Sequence, residues 1–284
     1  MNKWQYTNMA DPCVTLSDEI FKLEQARGAI IEGQIGGRDH GGGPVHKPNP
    51  NDPELKEITK QINAKAYQLN VCLSQPIPNV PMAISATSIS SIARNDIRIW
   101  PFSETDEPYL LIYALDVPKL TPKVNLPKPK VTKIEWQGLD EGDTLAAPGN
   151  ILWGMSGAPA PLASPDDVII LAAMIEHDDT KTEAVRTRVE DQMAITLTTN
   201  ITSVGNRTEF VSRLINGMNG AIAAATSVAL GLPDPDDPIG SAQELRLTKA
   251  DLGKAYHFGS WTRTLTFSGD GASYAVSFKI QRAY

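Results

Sequence analysis

The chain has 284 residues, of which 41% are hydrophobic and 21% charged, so it is long enough and apolar enough to bury a sizeable core. Its net charge of -7 at pH 7 argues against non-specific nucleic-acid binding, which requires a basic surface. There is no signal-peptide pattern at the N-terminus and no segment apolar enough to span a bilayer, so the sequence predicts a soluble protein. Export by another route stays open.

Residues 1–79 are predicted to form an N-terminal segment with two helices. The first helix is expected over residues 17–33, with Ser17 as its N-cap. The second begins at Asp52-Pro53, where an N-cap residue precedes a proline at the first helical position. Its apolar residues recur at spacings of three and four: Leu55, Ile58, Ile62, Ala66, Leu69 and Leu73.

Two helices joined by a glycine- and proline-rich loop should pack as an antiparallel hairpin. Cys13 precedes the first predicted helix and Cys72 lies near the end of the second, so the hairpin would bring them together. With two cysteines and no CxxC spacing, a structural zinc site made of cysteines alone is excluded. The pair is either two free thiols or one disulfide.

Residues 80–284 are predicted to form a second domain, an antiparallel β-sandwich. Short apolar or alternating runs are separated by turns rich in proline and glycine, which is typical of such a fold. The expected strands cover residues 82–92, 96–100, 109–117, 131–137, 168–175, 244–247, 261–267 and 272–280. Residues 180–231 have helical spacing instead and are expected to be a helical insertion.

Three short acidic clusters lie next to predicted strands. They contain Asp106-Glu107, Glu176-His177-Asp178-Asp179, and Asp234-Pro235-Asp236-Asp237. Carboxylates at strand ends can converge on one rim of a sheet, and Ca²⁺ prefers six to eight oxygen ligands. The alternative is that these residues are turn formers and helix caps, which the same composition favours.

The residues around the clusters resemble motifs of the C2 domain, an eight-stranded antiparallel sandwich of which many members bind calcium and phospholipid. Asp106-Glu107-Pro108-Tyr109, followed by an apolar strand, is similar to the end of that family's first calcium loop. Glu176-His177-Asp178 and Asp237-Pro238-Ile239-Gly240 are similar to the two ends of its third loop. Glu107 and Glu176 replace aspartates, and residues 179–236 are far longer than the usual third loop.

Together with the predicted helices, the resemblance implies an α+β fold: a C2-like antiparallel β-sandwich with an N-terminal helical hairpin and a helical insertion. It implies a Ca²⁺ site formed by Glu107, Glu176, Asp178 and Asp237. The implied function is that of a non-enzymatic binding module acting at an anionic membrane surface or on a protein partner. The oligomeric state stays open.

Two other hypotheses remain from the sequence. The sandwich could be the scaffold of a structural or secreted effector, for instance a toxin component, whose helices contact a partner or insert in a membrane. A metal-dependent hydrolase is the weakest hypothesis, because neither a histidine-rich ligand set nor a nucleophile motif is present.

Overall fold

The computed structural model describes residues 11–35, 48–93, 107–117, 120, 130–153, 158–177, 181–203, 205–226, 236–269 and 271–283. The helices in these ranges are α1 Pro12–Ile35, α2 Pro53–Leu73, α3 Thr182–Asn200, α4 Arg207–Ala225 and α5 Lys249–His257. The strands are β1 Pro81–Ala93, β2 Pro108–Asp116, β3 Val131–Glu135, β4 Thr144–Ala146, β5 Ala160–Pro161, β6 Val168–Glu176, β7 Asp237–Pro238, β8 Gln243–Glu244, β9 Ser260–Gly269 and β10 Ala272–Arg282. The predicted α+β class with antiparallel sheets is confirmed.

The strands form two antiparallel sheets. In sheet I the order is β4-β1-β10-β9, and β5 also pairs with β1. In sheet II the order is β3-β2-β6-β7, and β8 also pairs with β6. The two sheets pack face to face as in a sandwich, since residues of both contribute to one buried core.

The core between the sheets follows from alternation along the strands. On β10, Tyr274, Val276, Phe278 and Ile280 are fully buried, as their spacing of two predicts. Leu110 and Ile112 of β2 meet them from sheet II. The intervening β2 residues, Tyr109, Leu111 and Tyr113, lie in a second buried cluster on the other face.

Helices α3 and α4 cover that outer face of sheet II. Their apolar residues, among them Val189, Met193, Phe210 and Leu214, pack in the same cluster as Tyr109 and Leu111. Sheet II is therefore buried on both faces, which explains why β2 and β6 are continuous apolar runs in the sequence. None of the helices in the described ranges is both long and apolar enough to cross a membrane.

Helices α1 and α2 form an antiparallel hairpin, because contacts occur at both ends of the pair. At one end Cys13 and Cys72 are joined by a disulfide, with their Cα atoms 5.8 Å apart. At the other end the Gln34 amide donates to the Asp52 carboxylate at 2.8 Å. The disulfide spans a sequence separation of 59, for which the chain-entropy model gives about 4 kcal/mol of stabilisation.

The hairpin docks on α5, a helix that the sequence did not predict. Gly253 of α5 lies so close to the end of α2 that a Cβ atom there would be 2.0 Å from the carbonyl oxygen of Leu73. Glycine is therefore required at this crossing. Asp11 and His257 add a polar contact at 2.6 Å beside it.

Two element boundaries differ from the sequence prediction. Helix α1 begins at Pro12 rather than near Ser17, because Asp11 accepts hydrogen bonds from the backbone N–H groups of Cys13 and Val14 and caps the helix. The strand predicted at 244–247 is shorter and starts one residue earlier, at Gln243–Glu244. The predicted strand at 96–100 lies outside the described residues. The proposed division into domains 1–79 and 80–284 stays a prediction.

Candidate functional site: an acidic rim at one end of the sheets

Four neighbouring strands of sheet II carry a carboxylate at the same end. In the register of the sheet, Pro108 pairs with Glu176, Glu176 pairs with Asp237, and Tyr109 pairs with Glu135. Glu107 directly precedes Pro108 and therefore lies at the same end. We call Glu107, Glu135, Glu176 and Asp237 the acidic rim.

Sheet I reaches this end of the molecule as well. Gly240 follows β7 closely and approaches the β9–β10 turn, where a Cβ atom at Gly240 would be 2.6 Å from the carbonyl oxygen of Ser268. Gly240 also has a φ of 74°, which a residue with a side chain rarely adopts. The end of β7 is thus fixed against sheet I.

The turn after β3 brings further carboxylates to the same end. The backbone N–H of Ser91, near the end of β1, donates to the carbonyl oxygen of Asp143 at 3.0 Å, and Gly142 N–H donates back to Ser91 at 3.1 Å. Asp140 and Asp143 therefore lie where β1 ends and β4 starts. This turn was not among the predicted site residues, although an acidic turn directly after a predicted strand is a usable signal.

His177 lies beside the acidic rim and contacts Glu107. Its Nδ1 atom is 3.3 Å from Oε2 of Glu107, and both side chains are partly exposed. The imidazole ring also meets the edge of Tyr109, with ring centroids 6.4 Å apart. These contacts join His177, directly after β6, to Glu107, directly before β2.

Tyr109 and Asp236 form a buried hydrogen-bonded pair next to the rim. The hydroxyl of Tyr109 donates to Oδ2 of Asp236 at 2.8 Å, and neither residue is exposed to solvent. Burial raises the pKa of the Tyr109 phenol, and the neighbouring charge of Asp236 raises it further. Asp236 thus joins the start of β7 to β2, one residue before Asp237.

Glu135 makes strong contacts within the protein. Lys133 Nζ lies 2.6 Å from its Oε1 atom, and the Thr182 hydroxyl at the start of α3 donates to the same oxygen. Burial alone would raise the pKa of Glu135, but the hydrogen bonds from Lys133 and Thr182 outweigh it and hold the pKa below its usual value. Glu135 therefore attaches α3 to β3. The members of the rim that the sequence predicted as cation ligands are Glu107, Glu176 and Asp237.

The structure thus places three of the four predicted metal ligands on one rim, and Asp178 lies outside the described residues. In the ranges that the structure describes, the rim carboxylates do not form a group of three with all ligand oxygens within 4.8 Å of one another. The group that meets this distance is Asp11, Cys13 and His257, at another part of the molecule. The predicted calcium set as a whole stays a prediction.

Comparisons with known proteins give a distant structural likeness. No protein-family model matches the chain, and no curated protein matches it. One solved structure to which it is similar is a C2 domain of plant Extended Synaptotagmin 1, at 5% sequence identity. The match covers 73% of this chain and 98% of that domain, with a TM-score of 0.26. A TM-score of this size supports no inference about function.

Sequence reasoning missed Asp236 and chose its neighbour Asp237. Neither residue stands out by spacing, because both belong to one proline-flanked acidic turn. A usable signal was Tyr109, since a tyrosine inside a continuous apolar strand needs a partner for its hydroxyl group once it is buried. A carboxylate at the matching end of a neighbouring strand is such a partner.

Proposed function

We propose that the chain is a non-enzymatic binding module whose acidic rim takes up Ca²⁺ and then contacts an anionic membrane surface. The observation that carries this proposal is the strand register, which brings Glu107, Glu176 and Asp237 to one end although long stretches of sequence separate them. Asp140 and Asp143 approach the same end from another connection. Ca²⁺ binds six to eight oxygen atoms at about 2.3–2.6 Å, which carboxylates from several loops can supply together.

The electrostatics of the rim explain how Ca²⁺ binding could control its contact with a membrane. Carboxylates that lie near one another repel, and a divalent cation between them removes this repulsion. The bound ion also lowers the negative charge of the rim and supplies a positive centre that anionic lipid headgroups can coordinate. The resemblance of the flanking motifs to C2 domains agrees with this use of the rim.

An apolar side chain at the same end suits contact with lipid. Ile92, close to the end of β1, has 52% of its surface exposed. It lies one residue beyond Ser91, which holds the Asp140–Asp143 turn. An exposed isoleucine next to a cation-bridged headgroup site could enter the interfacial layer of a bilayer.

The effector alternative has less support. It requires α3 and α4 to be available for a partner or a membrane, but their apolar sides already pack against sheet II. Leu214 and Met218 of α4, for example, are fully buried. Releasing these helices would expose the outer face of the sheet, which is costly in free energy.

Calcium titration followed by vesicle binding tests the proposal. Only the folded chain presents the assembled rim, so millimolar Ca²⁺ should raise the melting temperature by mass action. The double variant Glu176→Gln/Asp237→Asn should lose most of this rise and should no longer sediment with phosphatidylserine vesicles in the presence of Ca²⁺. Ile92→Ser should keep the calcium response and lose part of the vesicle binding.

A matched control removes two charges far from the rim. Glu32 and Asp191 are exposed residues of α1 and α3, and Glu32→Gln/Asp191→Asn should behave as the unchanged protein does. If calcium alters neither the melting temperature nor vesicle binding, or if both double variants respond equally, the rim carboxylates are turn formers and the proposal is wrong.

A further inference from the structure

A second cluster of metal-ligating side chains lies at the opposite end of sheet I from the rim. Three segments meet there: the start of α1 with Asp11 and Cys13, the end of α2 with Cys72, and the end of α5 with His257. His257 precedes the first residues of β9, whereas the rim lies near the last residues of β9. This cluster is therefore independent of the proposed calcium function.

The cluster is compact and partly shielded from solvent. Oδ2 of Asp11 is 2.6 Å from Nδ1 of His257, and one ligand atom each of Asp11, Cys13 and His257 lie within 4.8 Å of one another. Cys13 is fully buried, and the side chain of His257 is 16% exposed. Cys72 is disulfide-bonded to Cys13, so its sulfur atom belongs to the same cluster.

Neighbouring groups orient the carboxylate of Asp11 and the imidazole of His257. The backbone N–H of Cys13 donates to Oδ1 of Asp11 at 2.9 Å, which leaves Oδ2 directed toward His257. The imidazole of His257 meets the ring of Tyr256 edge-on, with centroids 5.0 Å apart. Such supporting contacts are what hold ligands in place around a metal ion.

We propose that reduction of the Cys13–Cys72 disulfide converts this cluster into a Zn²⁺ site formed by Cys13, Cys72, His257 and Asp11. A thiol reductant supplies two electrons and two protons, the S–S bond breaks, two cysteine thiols form, and the reductant leaves as its own disulfide. Zn²⁺ then binds the two sulfurs as thiolates, and their two protons are released to solvent. In the oxidised protein the sulfurs are bonded to each other and the site does not exist.

The ligand set and its size suit zinc. Thiolate, imidazole and carboxylate are all zinc ligands, with bonds of about 2.3, 2.0 and 2.0–2.2 Å in tetrahedral geometry. A tetrahedron with such bonds separates its ligand atoms by roughly 3.3–3.8 Å. Asp11 and His257 would move apart by less than about 1 Å from their present contact, and the separated sulfurs would reach this distance by side-chain rotation.

Other contacts keep the three segments together once the disulfide is open. The close crossing of Gly253 and Leu73 joins α2 to α5, and Leu73 is buried. Lys65 Nζ and Glu19 Oε2, 2.6 Å apart, join α2 to α1. The two sulfurs should therefore stay near Asp11 and His257 after reduction.

Cobalt titration of the reduced full-length protein tests the inference. The protein is reduced, freed of reductant without oxygen, and titrated with Co²⁺, which gives sulfur-to-cobalt charge-transfer bands and intense tetrahedral bands in such sites. One equivalent should bind, and one equivalent of Zn²⁺ should displace it. The oxidised protein should show none of these bands.

Variants identify the ligands. His257→Gln and Asp11→Asn should each weaken Zn²⁺ binding by at least about tenfold, in line with losses seen when zinc sites are perturbed. His177→Gln, a histidine at the rim, should bind as the unchanged protein does. The melting temperature of each variant in the oxidised state, where no metal binds, verifies that the variant folds.

Several outcomes overturn the inference. The reduced protein could bind neither metal, the oxidised protein could bind equally well, or folded His257→Gln could keep the full affinity. Circular dichroism adds a further criterion: if reduction unfolds the hairpin and Zn²⁺ does not restore it, the three segments do not hold a site and the inference is wrong.

Discussion

Replacing Tyr109 by phenylalanine tests whether the buried Tyr109–Asp236 pair supports the rim. The substitution removes the hydroxyl that donates to Oδ2 of Asp236 at 2.8 Å and leaves the ring packing unchanged. Because a hydrogen bond to a charged group contributes about 1.5–3 kcal/mol, we expect the free energy of unfolding to fall by about 2 kcal/mol. In chains of 150–250 residues each kcal/mol corresponds to about 2–4 °C, so the melting temperature should fall by several degrees.

Tyr113 supplies a matched control on the same strand. It is fully buried at the fourth position after Tyr109 along β2, and its hydroxyl has no hydrogen-bond partner among the described residues. Removing a buried unpaired hydroxyl relieves a cost of about 1–3 kcal/mol, so Tyr113→Phe should be neutral or stabilising. The two substitutions delete the same atom from the same residue type, and only Tyr109→Phe is expected to destabilise the protein.

Urea unfolding followed by circular dichroism measures both variants. Tyr109→Phe should lower the midpoint with an unchanged slope, which indicates a loss of stability rather than a change in the unfolded state. It should also weaken any calcium-induced stabilisation, because Asp236 fixes the residue next to Asp237. If Tyr109→Phe is as well tolerated as Tyr113→Phe, the pair is not a supporting contact and the reasoning fails.

Two further predictions concern the N-terminal hairpin. Gly253→Ala places a Cβ atom 2.0 Å from the Leu73 carbonyl oxygen and should destabilise the protein by about 1–3 kcal/mol in thermal melts. Gly28→Ala in α1, where a Cβ atom would have no atom within 4 Å, should instead stabilise the protein by about 0.5–1 kcal/mol. For Asp11, burial raises the pKa but the hydrogen bonds from His257 and Cys13 N–H outweigh it, so the folded pKa lies below the ordinary aspartate value. Its stabilising contribution is therefore present above about pH 4 and is lost as the pH falls further, so Asp11→Asn should destabilise the protein at about pH 6 and make little difference near pH 2 in urea melts. Equal effects of the two glycine substitutions, or a pH-independent effect of Asp11→Asn, would contradict these expectations.

The sequence predicted the elements that bury one or two full faces. The alternation of Tyr274, Val276 and Phe278 identified β10, and the continuous apolar runs identified β2 and β6. The spacing and type of the apolar residues were enough to predict these strands, because burial decides which residue types occur at each position. The second helix was recognised from its cap, Asp52, whose side chain accepts from the N–H groups of Glu54 and Leu55.

Elements set by a few local hydrogen bonds were harder to predict. Helix α1 starts at Asp11-Pro12, the same pair of residue types that marks α2, but the Ser17-Asp18-Glu19 sequence also fits a helix start and was preferred. Helix α5 is nine residues long with few apolar positions, and its clearest signal is the reciprocal cap between Thr248 and Asp251. Short helices of this kind carry too little periodicity to detect.

The partners within the candidate site depend on strand register, which the sequence does not determine. Placing Glu176 opposite both Pro108 and Asp237 requires knowing which residues pair, and a shift of one residue would turn each side chain to the other face. The contact between Asp236 and Tyr109 joins residues 127 positions apart. Acidic composition pointed to the rim, but only the register separates Asp236, which is buried and structural, from Asp237, which is exposed.

The position of Asp237 is held by contacts on both sides of β7. Helices α3 and α4 lie between β6 and β7 in the chain, so the two residues that form the middle of the rim are far apart along the backbone. Strand β7 has two residues, too few to fix itself by pairing alone. Two further contacts fix it, namely the Tyr109–Asp236 hydrogen bond on its N-terminal side and the close approach of Gly240 to Ser268 on its C-terminal side. Because the contact between Gly240 and Ser268 holds the C-terminal side of β7, Gly240→Ala should displace Asp237 and reduce the calcium response without any change in charge.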